Sequence, residues 1–217
     1  MASYEKLDFW SMKAQKEGYP ARSVYKLMEI DGKFGILGKT PPGSGKRLRI
    51  LDLGAAPGSW SLYLLRRFKP TGNTGEPFPT LLASADLQNL SRRFDKGLFD
   101  RKDFFFIQGD FTSAEVRDAL LSRGPYTLLL SDAAPDTTGN RSVDTPRSLA
   151  LAEEVLGYAD SALVPGGSLA LKVFQGSGAE DLLARIRERF TSARTFKPKA
   201  SRSDSFETYF LGLGKKE

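Results

Sequence analysis

The hydrophobic positions of this chain form short apolar runs that alternate with segments of helical spacing. Runs of about four to eight apolar residues are typical of buried strands, whereas apolar residues at every third or fourth position indicate a helix packed on one side. This pattern predicts strands at Leu48–Leu53, Leu81–Leu87, Phe104–Gln108, Thr127–Ser131, Ser168–Phe174, Ala193–Lys197 and Thr208–Leu213. It predicts the intervening helices at Ser59–Phe68, Ser113–Ser122, Thr145–Leu163 and Ala179–Phe190, with a turn at Pro165–Gly167.

Strands that alternate with helices form a mostly parallel sheet with helices on both of its faces. The last two strands have no helix between them, so we expect them to pair in an antiparallel manner. A length of 217 residues predicts one domain, with a core at 47–217 and a helical, basic appendage at 1–46. In the appendage we expect helices at Tyr4–Glu17 and Val24–Ile30, the second capped by Ser23 and closed near Gly32.

The first core strand leads into its helix through the sequence Leu-Asp-Leu-Gly-Ala-Ala-Pro-Gly-Ser-Trp at 51–60. Glycines let a ligand approach the backbone closely, and a helix start offers free N–H groups. The spacing Gly-x-x-Pro-Gly differs from the Gly-x-Gly-x-x-Gly of dinucleotide sites, and Pro57 removes a donor that a pyrophosphate would need. The turn favours a nucleoside without phosphates over NAD, although a purely structural turn would have the same pattern.

The composition excludes several classes of chemistry, because the chain has neither cysteine nor histidine. Disulfides, thiolate nucleophiles, zinc sites built on these residues and imidazole bases are all ruled out, and we expect no metal site. A general base must be a lysine, a carboxylate or a tyrosine. No apolar run reaches the ~20 residues of a membrane helix, and no signal peptide precedes the chain, so we expect a cytoplasmic protein without membrane contact.

The net charge of +6 is concentrated at the two ends of the chain. Residues 1–50 carry +5 and residues 188–217 carry +3, whereas residues 51–187 carry −2. Basic ends around an acidic middle suggest that a polyanion docks where the termini converge, with a neutral or cationic ligand inside, although an ordinary solvated surface gives similar totals. The side chains expected to hold phosphates are Lys13, Lys16, Arg22, Lys33, Arg194, Lys197, Lys199 and Arg202.

Four aspartates lie where predicted strands end, at the edge of the sheet where ligands of such folds bind: Asp52, Asp86, Asp110 and Asp132. Asp86 suits the two hydroxyls of a ribose, and Asp110 could accept a hydrogen bond from the exocyclic amine of adenine. Each alone is weak evidence, since aspartate is common in turns. Together with the Gly-x-x-Pro-Gly turn they point to S-adenosylmethionine (SAM), whose sulfonium favours an acidic pocket.

Lys172 is unusual because it lies within an otherwise apolar strand. A lysine in that position must be paired, extend to an edge of the sheet, or have a function; a salt bridge that caps the strand is the structural alternative. Burial lowers the proton affinity of a lysine and neighbouring carboxylates restore it. The sequence therefore leaves the protonation state of Lys172 open.

Several ordered blocks of the chain resemble the FtsJ-type (RrmJ-like) RNA ribose 2′-O-methyltransferases. The blocks lie at Ala14–Tyr19, Arg22–Leu27, Leu51–Trp60, Ser131–Pro135, Val143–Arg147, Leu163–Gly167 and Leu171–Gly176. The resemblance implies a Rossmann-like SAM-dependent methyltransferase fold, a mostly parallel seven-stranded sheet with one antiparallel strand and helices on both faces. It implies SAM as the cofactor and RNA as the partner of a monomer.

Within that family, a compact chain without added domains resembles the enzymes that methylate a uridine of large-subunit ribosomal RNA. A tRNA methyltransferase of the same family is the nearest alternative. A non-catalytic RNA-binding protein would need a broken catalytic tetrad, and the tetrad is complete. The resemblance places its members at Lys26, Asp132, Lys172 and Glu207. It places the contacts to SAM at Gly54, Pro57, Gly58, Trp60, Asp86, Asp110 and Asp132.

The chemistry of a ribose hydroxyl agrees with these residues. Lys172, held by Asp132 and Glu207, would orient the hydroxyl and accept its proton if neutral, while Lys26 would polarise the developing alkoxide. This chain departs from the family at Ser59, where a second glycine is usual, and we expect the serine to cap the following helix. The stretches Lys39–Lys46 and Asn89–Lys102 look longer than usual and either add RNA contacts or are tolerated loops.

Overall fold

The computed structural model describes residues 8–38, 48–68, 80–202 and 205–217, and its strands form one seven-stranded sheet. The strands are β1 (Leu48–Leu53), β2 (Thr80–Asp86), β3 (Phe104–Gln108), β4 (Tyr126–Ser131), β5 (Leu163–Phe174), β6 (Phe190–Phe196) and β7 (Glu207–Lys215). Their order is β3-β2-β1-β4-β5-β7-β6, with β1 to β5 parallel to their neighbours and β7 antiparallel to both β5 and β6. The predicted sheet, including its one antiparallel strand, is confirmed.

Helices cover both faces of the sheet, as predicted. They are α1 (Phe9–Lys16), α2 (Val24–Phe34), α3 (Ser59–Arg67), α4 (Ala114–Leu121), α5 (Arg141–Ala162) and α6 (Ala179–Arg189). The first three pack on one face and the last three on the other, so that neighbouring residues of β1 serve different layers: Ile50 the first and Leu51 the second. The N-terminal helices α1 and α2 thus share an apolar cluster with α3 and the sheet. No helix in the described ranges is long and apolar enough to cross a membrane.

Two helix ends differ from the prediction because of their caps. Ser23 has helical backbone angles and no side-chain capping bond, so its predicted capping role is wrong; α2 continues past the predicted end and closes where Gly35 adopts a φ of 64°. Helix α5 begins one turn early, at Arg141, because the side chain of Asn140 accepts a hydrogen bond from the Ser142 N–H at 3.0 Å. The predicted stretches 4–7 and Lys39–Lys46 lie outside the described residues.

Strand β5 begins earlier than predicted. The interpretation of Pro165–Gly167 as a turn between helix and strand is wrong, because Leu163 already pairs with Tyr126 of β4. The register shifts between that pair and the next, Leu128 with Ser168, so the proline and glycines occupy an irregularity within the strand. The remaining strands and helices differ from their predicted bounds by up to three residues.

The segment that leads to α2 is fastened to the start of α3. Ser59 Oγ accepts a hydrogen bond from the Ala21 N–H at 2.8 Å and donates one to the Ala21 carbonyl at 3.0 Å. Next to it, the Trp60 indole donates to the Ser23 carbonyl at 2.7 Å. The predicted capping role of Ser59 is wrong, since Gly58 occupies the cap position and Ser59 is the first helical residue. Its hydroxyl instead fixes the N-terminal segment against the predicted cofactor turn.

We predict that Ser59→Ala lowers the free energy of unfolding by about 1–3 kcal/mol, because it leaves backbone groups of Ala21 without their partner. In a domain of this size each kcal/mol lowers the melting temperature by about 2–4 °C, which thermal unfolding monitored by circular dichroism measures. Ser161→Ala is the matched control, since Ser161 is exposed and donates to a carbonyl of its own helix. Equal melting temperatures for the two variants would contradict this role of Ser59.

Candidate active site

Four segments of the chain meet at the buried carboxylate of Asp132, just after β4. Its Oδ1 lies 3.1 Å from Nζ of Lys172 in β5 and 3.8 Å from Nζ of Lys26 in α2. Lys172 also donates to the Asp132 carbonyl at 2.6 Å, and the Tyr209 hydroxyl of β7 donates to Oδ1 at 2.5 Å. A single carboxylate oxygen therefore collects two amino groups and a phenol.

Glu207 contacts this cluster through Lys26. Its Oε1 lies 2.6 Å from Lys26 Nζ, and the two side chains are 10% and 8% exposed. The described contacts do not join Glu207 to Lys172, which differs from the expectation that Glu207 and Asp132 together hold that lysine. The cause is the register of the sheet, since Glu207 pairs with Phe174 and Tyr209 lies directly opposite Lys172. Asp132 thus holds both lysines, and Glu207 holds Lys26.

The charges of the cluster settle which groups are ionised. Burial by itself would raise the pKa of Asp132, but the positive charges of Lys172 and Lys26, with hydrogen bonds from Tyr209 and Lys172, lower it below its ordinary value. For Tyr209, burial raises the pKa of the phenol well above its ordinary value, and the negative charges of Asp132 and Glu207 act in the same direction. At neutral pH, Asp132 is a carboxylate and Tyr209 is a neutral hydrogen-bond donor.

Sequence reasoning missed Tyr209, although the period of a strand could have found it. Residues i and i+2 of a strand share a face, so Tyr209 lies on the same side of β7 as Glu207. Its ring is fully buried and lies 6.0 Å, between centroids, from the Trp60 ring. Tyr209 therefore connects the carboxylate of Asp132 to the helix that follows the predicted cofactor turn.

A cavity of about 760 Å³ opens beside Asp132, at the carboxyl ends of β1 to β4. We call it the acidic cavity, because its lining residues include five carboxylates and one cation, Arg147. Leu87 and Phe111 add apolar surface; Leu87 is 68% exposed. Five of the seven residues predicted to bind SAM line this cavity: Gly54, Pro57, Asp86, Asp110 and Asp132.

Two carboxylates of the acidic cavity are fixed by the loops beside them. Asp86 accepts hydrogen bonds from the N–H groups of Ala56 and Gln88, both at 2.8 Å. Asp110 Oδ1 accepts from the N–H and the hydroxyl of Thr112, at 2.9 and 2.8 Å. A carboxylate has about four acceptor sites, so each retains capacity for the donors of a ligand.

The glycines of the predicted cofactor turn have different structural reasons. Gly54 has a φ of +76°, and a Cβ there would lie 2.6 Å from the Ala133 backbone. Gly58 has a φ of +103°, and its Cβ would lie 2.9 Å from the ring of Phe99 rather than in the acidic cavity. The lining of the cavity includes neither Gly58 nor Trp60. Their contact with SAM stays a prediction.

Asp52, the fourth aspartate at the strand ends, does not reach the acidic cavity. It is fully buried, and its Oδ2 accepts a hydrogen bond from Ser61 at 2.7 Å. Burial raises the pKa of Asp52 to about 7; the hydrogen bond from Ser61 lowers it, and the negative charges of Asp132 and Asp86 raise it. In the part of the chain that the structure describes, no group of three or more such acidic side chains is arranged to hold a metal ion.

The sequence matches known proteins along almost its whole length. The profile of the FtsJ-like methyltransferase family matches residues 19–215. Identity to the ribosomal RNA large subunit methyltransferase E of Treponema denticola is 43% over 210 residues, covering 97% of this chain and 96% of that protein. For the protein of the same name from Oleidesulfovibrio alaskensis, identity is 42% over 208 residues, covering 95% and 91%.

Solved structures share the fold. A ribosomal RNA methyltransferase from Plasmodium falciparum has a TM-score of 0.69 at 25% identity, covering 91% of this chain and 98% of that one. Human methyltransferase-like protein 13, crystallised with SAH, has a TM-score of 0.52 at 15% identity, covering 79% and 73%, a likeness of fold alone. The fold is that of SAM-dependent methyltransferases. Because the family profile spans most of the chain and relatives above 40% identity align along nearly all of it, this protein belongs to the FtsJ-like methyltransferase family.

Proposed function

We propose that this protein transfers the methyl group of SAM to the 2′-hydroxyl of a uridine ribose in large-subunit ribosomal RNA. The observation that carries the proposal is Asp132, which borders the acidic cavity and holds both lysines of the tetrad. The names of the two bacterial relatives support ribosomal RNA as the substrate. The tetrad is complete within one chain, which supports a monomer, and we propose that this enzyme works in the cytoplasm.

The acidic cavity fits SAM in size and charge. Its volume of about 760 Å³ falls within the range of about 300–1,000 Å³ that small-molecule sites occupy. Five carboxylates against one arginine suit a ligand that carries a sulfonium and an amino group. We assign Asp86 to the ribose hydroxyls of SAM and Asp110 to the adenine amine, with Leu87 and Phe111 as the apolar surfaces available to the ring.

SAM supplies a methyl group whose bond to sulfur breaks, with the electron pair left on sulfur, as the bond to the ribose oxygen forms. We assign the hydroxyl to Lys172, whose Nζ is fixed by both the carboxylate and the carbonyl of Asp132. Nζ orients the hydroxyl and, when neutral, accepts its proton. Lys26 places a second amino group near the same carboxylate and stabilises the developing negative charge. Alignment of the oxygen with the methyl group supplies much of the acceleration.

We place the RNA on the face where the two basic ends of the chain converge. Besides the ion pair between α2 and β7, two contacts support this convergence. The Glu29 carboxylate of α2 accepts hydrogen bonds from the N–H groups of Lys199 and Ala200, at 2.7 and 2.9 Å. Lys33 Nζ lies 4.5 Å from the centroid of the Phe196 ring. Both contacts bring the basic residues of the second end to the helix that carries Lys26.

The eight basic residues assigned to phosphates differ in how free they are. Arg22 pairs with Asp8 at 2.9 Å, and Lys13 lies 3.9 Å from Glu17, so both are partly neutralised. The other six are exposed, and we propose them as the phosphate contacts: Lys16, Lys33, Arg194, Lys197, Lys199 and Arg202.

The proposed reaction is tested by incubating the protein with tritiated SAM and separate pools of ribosomal RNA, ribosomal subunits and tRNA. We expect label in large-subunit ribosomal RNA, free or assembled, and nucleoside digestion should recover it as 2′-O-methyluridine. Label on a base would contradict transfer to a ribose. Label in tRNA alone would replace ribosomal RNA with the alternative substrate.

We predict that Lys172→Ala abolishes methyl transfer and leaves the affinity for SAM nearly unchanged, because the lysine acts on the hydroxyl and not on the cofactor. Asp132→Ala should lose both activity and SAM affinity, since Asp132 borders the acidic cavity and holds the lysines. Single-turnover rates and calorimetry measure the two quantities. A Lys172→Ala variant that keeps more than about a tenth of the wild-type rate would contradict an acid–base or orienting role.

We predict that Asp86→Ala weakens binding of S-adenosylhomocysteine by about 5- to 150-fold, since about 1–3 kcal/mol is lost when ribose hydroxyls lack an acceptor. Isothermal titration calorimetry measures the change. Asp118→Ala removes an exposed carboxylate of α4 outside the acidic cavity and should bind as the wild type does. If both variants match the wild type, the ribose of the cofactor lies elsewhere.

We predict that replacing Lys16, Lys33, Lys197 and Lys199 together by alanine weakens RNA binding across sequences. The log–log salt slope should fall by somewhat under one unit for each phosphate that the variant no longer binds, while SAM affinity stays unchanged. Fluorescence anisotropy at several salt concentrations measures the slope. The comparison variant replaces Lys96 and Lys102, two exposed lysines of the longer stretch before β3. If this variant alone reduces the slope, the RNA docks on that stretch and the basic ends are only solvated surface.

A further inference from the structure

A second cavity, of about 610 Å³, lies between the first turns of α5 and the loop that follows β5. We call it the α5 cavity. Its walls carry the guanidinium of Arg141, the amide of Gln175, the hydroxyls of Ser142 and Ser177, and the ring of Pro146. None of these residues lines the acidic cavity, so the two cavities have separate walls. The described lining of the α5 cavity has no carboxylate, in contrast to its neighbour.

Arg141 offers a flat, positively charged surface in this cavity. It is exposed, and none of the ion pairs among the described residues includes it. Its guanidinium carbon lies 4.7 Å from the centroid of the Phe206 ring, and that ring packs edge-on against Phe174 at 4.7 Å. The guanidinium is therefore positioned by an aromatic pair, and a guanidinium plane is a surface on which unpaired bases stack.

The wall of the α5 cavity is continuous with the tetrad. Gln175 lies three residues beyond Lys172, roughly 10 Å along an extended chain. The Gln175 N–H donates to the Phe206 carbonyl at 2.9 Å, and Phe206 directly precedes Glu207. One RNA strand with its acceptor ribose at Lys172 could therefore reach the α5 cavity with a neighbouring nucleotide.

We infer that the α5 cavity binds an unpaired nucleotide of the RNA next to the methyl acceptor, with its base stacked on Arg141. The inference rests on the proposed function, because it concerns the same RNA strand. A volume of about 610 Å³ suits a whole nucleotide, and the Gln175 amide supplies both a donor and an acceptor for the edge of a base. Proteins recognise single-stranded RNA by such stacking and edge contacts.

Kinetics with large-subunit ribosomal RNA as the probe test the stack. Arg141→Ala should raise the KM for RNA about 5- to 100-fold, as expected for loss of one stacked base, with kcat and the affinity for S-adenosylhomocysteine unchanged. The control, Arg187→Ala, removes an exposed arginine of α6 that lines neither cavity and should keep the wild-type KM. Equal KM values for the two variants would overturn the inference.

Arg141→Lys separates a base from a phosphate, because it keeps the charge and loses the plane. We expect its KM to rise as in Arg141→Ala; a wild-type KM would show a phosphate contact and overturn the stacked base. Crosslinking of the same RNA containing 4-thiouridine does not depend on methylation. We expect crosslinks within residues 141–146 or 175–177, and bound RNA that crosslinks only elsewhere overturns the inference. Absence of methylation by the wild type, with those crosslinks present, would count against the proposed function alone.

Discussion

The buried carboxylate of Asp132 determines the geometry of the site, because a charge removed from water must be paired and hydrogen-bonded. Asp132 meets this requirement by holding Lys172, Lys26 and the Tyr209 hydroxyl at one oxygen. Loss of any partner would leave a buried charge less compensated. Helix α2 and strands β5 and β7 are therefore held around the end of β4, and the same arrangement places an amino group at the border of the acidic cavity.

The N-terminal helices belong to this arrangement. Lys26 reaches Asp132 only because α2 packs on the sheet, and this packing is reinforced on both sides of the helix. At its start, Ser59 and Trp60 bind the backbone of the segment before α2. Further along, Glu29 binds the backbone at Lys199 and Ala200. A change near the turn that we assign to SAM can thus alter the position of a tetrad lysine.

The sequence predicted well what depends on neighbouring residues. Strand β1, the turn after it and the aspartates at the strand ends follow from local patterns, and five predicted cofactor residues do line one cavity. The pairing of Glu207 with Lys26 and the place of Tyr209 depend on the register between β5 and β7, which no single segment contains. Likewise, the partner of Ser59 lies 38 residues earlier in the chain, so a local capping rule gave the wrong role.

The most direct test of this account is a distance in a crystal structure of the protein with S-adenosylhomocysteine and an RNA fragment that carries the 2′-O-methyl product. The account predicts that the methylated oxygen lies about 2.6–3.2 Å from Lys172 Nζ, with the methyl group directed at the acidic cavity. An oxygen beyond hydrogen-bond reach of Lys172, or one bound at Tyr209 or Glu207 instead, would contradict it.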